Sequence, residues 1–252
     1  MKSKLIIFFL ISFLFTIPLF AQIQTSVSNL LRYGNGERSL GNVNSGSIYR
    51  ENLTDVIFRL PINLNVGLRL LYDKPPETGQ EFRGISRRYI EYDNDDLYLR
   101  AGNLSEFYGK GLAINLFENR GLAYDTWLDG INAKYKFDDL KFSVLSGVIN
   151  FADSINFWRE EEYTLFGGNA EYKFHKNFKA GISFVSAEGK IPLPGLIHKL
   201  KAEIPEIYFN LNLGDFDLFV DWSQKWTRVE NSSSSKGSGI YSSLNFNKEI
   251  KT

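Results

Sequence analysis

Histidine and cysteine, the side chains readiest for base and thiolate chemistry near neutral pH, are scarce or absent. The chain has two His and no Cys, so a thiolate nucleophile, a thiolate metal site and a disulfide scaffold are excluded. His175 sits in a tight turn and His198 in a long polar segment, and neither lies in an H-E-x-x-H, G-x-S-x-G or G-x-x-x-x-G-K-[ST] context. Asp93-Asn94-Asp95-Asp96 offers the oxygen ligands a hard cation needs, but lacks the remaining ligands of a calcium loop and reads as a turn. Glu160-Glu161-Glu162 reads as a solvated loop edge. No cofactor, metal site or catalytic group is expected. The most informative set is Tyr108, Lys110, Glu118, Arg120, Asp125 and Asp129 with Arg100 close by. If residues 104–110 fold inward, these groups form a constriction of opposed charges that sorts solutes by size and charge. The alternative is a salt-bridged loop that stiffens a rim.

Equal numbers of basic and acidic residues, 29 each, exclude a nucleic-acid binder held by a basic field. The first segment, MKSKLIIFFLISFLFTIPLFAQ, has two lysines, an apolar run and a small residue before a polar stretch. It is expected to be a secretory signal peptide, residues 1–21, cleaved after Ala21. Beyond it no stretch reaches the roughly 18 apolar residues of a spanning helix.

The remaining chain, 22–252, alternates. Ile62, Leu64, Val66, Leu68, Leu70 and Tyr72 interleave with polar residues, as do Ile131, Ala133, Tyr135 and Phe137. The same period runs through Ile207–Leu213 and Phe216–Trp222. A period of two gives each strand one apolar and one polar face. The turns Asp138-Asp139, His175-Lys176-Asn177 and Gly214-Asp215 place Phe137 opposite Leu140, Phe174 opposite Phe178 and Leu213 opposite Phe216, so neighbouring strands share their apolar face. Longer polar connections are expected at 73–85, 151–162, 187–206 and 225–238. Short and long connections alternate, as in a transmembrane barrel with tight turns on one rim and long loops on the other. Strands are expected near 23–33, 48–59, 62–72, 86–92, 96–118, 128–137, 140–150, 163–174, 178–186, 205–213, 216–224 and 239–247. The parity holds only if 96–118 is one interrupted strand with a bulge or excursion at 105–110.

Two placements favour membrane over a soluble sandwich. Phe137, Phe142, Phe174, Phe178 and Phe216 cluster beside the short turns, as an interfacial girdle does, and the polar face is rich in Asn, Ser, Gly and Tyr. The expected fold is therefore all-β, an antiparallel transmembrane barrel of about twelve strands. Its lumen would be lined by Arg69, Arg100, Asn132, Lys134, Lys173, Asn210, Asp217 and Asp221.

The stretch EYDNDDLYLRAGNLSEFYGKGLAINLFENRGLAYDTWLDG, residues 91–130, resembles a family of outer-membrane β-barrel proteins of unknown function from Bacteroidetes and their relatives. The resemblance rests on Asp96, Leu97, Leu99, Gly102, Asn103, Glu106, Gly109, Gly111 and Leu112, followed by Glu118-Asn119-Arg120-Gly121-Leu122 and Asp129-Gly130. It implies an outer-membrane location in a Gram-negative cell and no activity. The last residues, Asn247–Thr252, lack the terminal aromatic usual in such barrels. This favours a sequence that stops before its last strands, so that twelve describes part of a larger wall. The function expected is porin-like passage of small polar solutes, with outer-membrane lipid as surroundings, no nucleic acid and no known protein partner. A non-transporting barrel that docks partners through its loops is the alternative, and an outer-membrane hydrolase the second.

Overall fold

Alternation over ten or more residues leaves a strand one face for water or a packed interior and one for lipid, and neighbouring strands must satisfy every backbone polar group. In the computed structural model, which describes residues 23–40, 43–74, 81–119, 124–152, 160–193, 196–230 and 232–246, twelve long strands do this. They are β1 (Gln24–Leu40), β2 (Val43–Leu60), β3 (Leu64–Lys74), β4 (Phe82–Asp93) and β5 (Leu97–Leu104). After an interruption follow β10 (Leu128–Phe137), β11 (Leu140–Ala152), β12 (Glu160–His175) and β13 (Phe178–Leu193). The last three are β14 (Leu196–Leu213), β15 (Phe216–Val229) and β16 (Ser235–Phe246). All pair antiparallel with their neighbours in one sheet, with β5 joined directly to β10. The fold is all-β and of transmembrane-barrel type, and the wall is not closed: β1 and β16 are its two edges. The expected signal segment, residues 1–21, lies outside the described residues.

Tight turns occupy one rim, with left-handed backbone at Asn63 (φ 58°), Asp138 (φ 49°) and Gly214 (φ 73°). The expected pairs Phe137–Leu140 and Leu213–Phe216 are opposite each other. At the third hairpin a bulge between Lys173 and His175 makes His175 the partner of Phe178. Phe174 still packs on Phe178, ring centroids 5.4 Å apart.

On the far rim the strands run longer than the alternation shows. Residues 187–193 and 196–206 are paired strand, so the expected long loop is largely a hairpin and His198 lies in β14, opposite Ile191. Pro205 hides this, because a ring without an N–H reads as a break. The β14–β15 ladder lapses only at Ile204 and Pro205 and resumes beyond them. Similarly β15 continues to Val229, and Glu160-Glu161-Glu162 opens β12, where Glu161 is buried and accepts from the Tyr163 hydroxyl.

One face is apolar and exposed. Ile182, Ile207, Trp222 and Ile240 stand opposite one another in one cross-strand row, and each is between 41% and 73% exposed. Girdle residues Phe137, Phe142, Phe174 and Phe216 lie exposed near the short-turn rim. The opposite, inner face carries the interruption between β5 and β10.

Candidate functional site: the inner excursion

After Leu104 the chain leaves the wall and does not rejoin it until Leu128. The expectation that 111–118 returns to the wall is corrected: residues 105–119 and 124–127 belong to an inner excursion. It is ordered by two short ladders, β6 (Glu106–Phe107) with β7 (Asn115–Leu116) and β8 (Glu118–Asn119) with β9 (Tyr124–Asp125). The parity survives because the excursion begins and ends on the long-loop rim, where Leu104 pairs with Leu128.

An apolar contact fixes its middle. Leu104, Tyr108, Ile114 and Leu116 pack with Leu128, Leu145, Leu165 and Val185 of the inner wall, and Leu104 and Leu128 have no exposed surface. Burying each such side chain contributes about 1.5–3 kcal/mol. Here the inner face is apolar rather than polar, because its partner is protein instead of water.

Buried polar groups tie the tip to the far wall. Asp221 Oδ2 accepts the Lys110 backbone N–H at 2.9 Å, and Glu206 Oε1 accepts that of Ala113 at 3.2 Å. Ser183 donates to the other Glu206 oxygen. Asp221 is fully buried and Glu206 is 3% exposed. Gly109 makes this approach feasible: its φ is +53°, and a Cβ there would lie 2.6 Å from Asp221 Oδ2. Glu106 binds the near wall, receiving Asn132 Nδ2 and Lys134 Nζ, each at 2.6 Å. The Tyr108 hydroxyl lies 3.4 Å from Ser143 Oγ, and burial pushes its phenol up to about 12. Nearby Glu106 and Glu206 also raise it, while the Ser143 bond opposes them.

The return arm is clamped by arginines. Arg69 holds Asp55 through two nitrogens, at 2.7 and 3.1 Å, and Glu118 at 2.7 Å. Arg69 lies directly opposite Arg87 on β4. That like-charge pair is stable because Glu118 reaches both, at 2.7 and 3.9 Å, and Asp125 binds Arg87. Arg100 binds Glu91 at 2.9 Å and lies 3.8 Å from the centroid of the Tyr89 ring. The excursion thus crosses the inner face from β3 to β15.

Of the expected lumen and constriction residues, Arg69, Arg100, Asn132, Lys134, Tyr108, Lys110, Glu118 and Asp221 converge on this crossing. Asn210 and Asp217 bond to each other nearer the short-turn rim, at 2.8 Å. Lys173, opposite Lys179, lies there too. Arg120 lies outside the described residues. Asp129 is corrected: it pairs with Arg88 at 3.2 Å, both side chains well exposed on the outer face. The excursion's anchor on the far wall, Glu206 with Ser183, was missed, because Glu206 ends the expected loop 187–206 and its partner Ala113 lies 93 positions away. Asp93–Asp96 is the expected turn, with Asn94 Oδ1 accepting the N–H groups of Asp96 and Leu97. Among the described residues no group of three or more His, Asp or Glu could hold a metal.

Among solved structures, the chain is similar to the following at low identity. OmpT of Vibrio cholerae is 9% identical, with 90% of this chain and 82% of that chain covered and a TM-score of 0.46. A mutant porin of Rh. blastica is 11% identical, with 86% and 94% covered and a TM-score of 0.32. No curated protein is detectably similar to the chain in sequence. Over residues 1–250, however, the sequence matches the model of a family of unknown function (DUF6029), and the chain belongs to that family.

Proposed function

We propose that the chain forms an outer-membrane β-barrel wall whose inner excursion narrows a passage for small polar solutes, in a cell that exports it through the cleaved N-terminal segment. The observation that carries this reading is the excursion itself. It is bound to β3 and β4 on one side and to β14 and β15 on the other, across a charged inner face, while the outer face is apolar as lipid requires. Its charged groups replace water around a solute and perform no covalent step. The test is conductance of the full chain in planar bilayers. Discrete channels are expected, with conductance rising when residues 106–125 are replaced by a short Gly-Ser linker. A folded, heat-modifiable protein that passes no current sinks the passage reading and favours a docking barrel.

A further inference from the structure

Between the excursion and the short-turn rim lies a cavity of about 590 Å³, large enough for one sugar-sized solute. Its walls carry five lysines, Lys110, Lys134, Lys136, Lys141 and Lys179, and five carboxylates, Asp93, Asp95, Asp96, Glu106 and Glu171. One cross-strand row of directly opposite residues reads Lys136, Lys141, Glu171, Gly181, Tyr208, Asp221 across β10 to β15. Two lysines therefore stand directly opposite each other at its start, an arrangement that destabilises a sheet unless an anion lies between them. Glu171 is already shared, 3.9 Å from Lys141 and 3.5 Å from Lys179. Glu106 is taken by Lys134 and Asn132. Lys110 and Lys136 have no carboxylate within 4 Å among the described residues; both are exposed, as are Asp93, Asp95 and Asp96 at the rim. Higher on the same face the equivalent like-charge pair, Arg69 opposite Arg87, receives Glu118 from the excursion. At the lysine pair the described residues of the excursion supply no such group.

The rest of the cavity suits an organic body. Tyr208 and Phe219 stack with centroids 6.1 Å apart and planes 22° from parallel. The Lys110 ammonium lies 5.1 Å from the Phe219 centroid, on a backbone held by Asp221. We propose that this cavity is a binding site for a small organic anion, with its phosphate or carboxylate between Lys110 and Lys136 and its ring on the Tyr208–Phe219 face. The inference rests on the inner face being the watered side, as in the passage reading.

Two readouts on the full chain separate the inference from that reading. Calorimetry in detergent should show glucose 6-phosphate binding and glucose not. Lys110→Gln with Lys136→Gln should weaken that binding by about fivefold or more, as expected for losing two partly exposed charge contacts, with heat-modifiability retained. In bilayers, a salt gradient should give an anion-selective reversal potential that shifts toward zero in the double variant. Binding without conductance keeps the site and removes the passage. Conductance with cation selectivity, equal binding of glucose and glucose 6-phosphate, or an unchanged double variant overturns the site. Equal displacement by inorganic phosphate would assign recognition to the phosphate alone and overturn the role of the aromatic face.

Discussion

At the scale of single residues, the excursion is held where a small backbone meets a buried carboxylate. Gly109 brings the Lys110 N–H onto Asp221, and a methyl group there would strike the carboxylate and strain a left-handed backbone. Gly109→Ala is expected to destabilise docking by about 1–3 kcal/mol, the cost of leaving a buried hydrogen-bonding group unmet, and to appear as new proteolytic cleavage within 105–127. Tyr108 gives a pH test, since it lies off the spanning strands. Its buried phenol is raised from 10 to about 12, so the docked state holds its proton more tightly than the undocked one. Its contribution is complete below pH 10 and is lost as pH climbs through the folded value. Excursion protection against protease should therefore fall between pH 10 and about 12, and Tyr108→Phe should remove that alkaline loss.

At the scale of elements, the excursion is a hairpin stack packed on a wall rather than a loose loop. Leu145 is 1% exposed beneath it. Leu145→Ala should cost about 2–5 kcal/mol of docking through the cavity it leaves, read as faster amide exchange at Ile114 and Leu116 with wall strands unchanged. The inward departure at 105 was legible from Gly102, Gly109 and Gly111, which permit backbone that other residues resist. The length of the departure was not. Ala113, Ile114 and Leu116 look like wall strand because alternation records only that a residue is buried, and burial against Leu145 and Leu165 leaves the same trace as burial in lipid. The 187–206 hairpin was hidden for a related reason. Its prolines and charges read as loop, and the pairing that overrides them includes ladders to β12 and β15, such as Glu162 with Lys190 and Leu200 with Val229.

For the whole molecule, the outer face must meet hydrocarbon along the Ile182, Ile207, Trp222, Ile240 row. Bromolipid should quench the emission of the full chain in vesicles. Trp222→Phe should remove much of that quenching, whereas Trp127→Phe should not, because Trp127 stacks inside against Arg87 and Arg100. An arginine at Ile207, about four residues above the Phe girdle, should cost about 2–4 kcal/mol in refolding titrations if it sits near the midplane. The edges of β1 and β16 present unpaired backbone groups that hydrocarbon does not tolerate. The sequence by itself determined the strands, their common apolar face and the twelve-strand order, because these follow from a period of two and from turn chemistry between adjacent segments. That Lys136 faces Lys141 follows from the Asp138-Asp139 turn, but tertiary structure alone decided that the excursion crosses to β15 and that Glu118 neutralises Arg69 and Arg87. Those contacts join residues up to 111 positions apart, and no local pattern encodes which distant strand a side chain will meet.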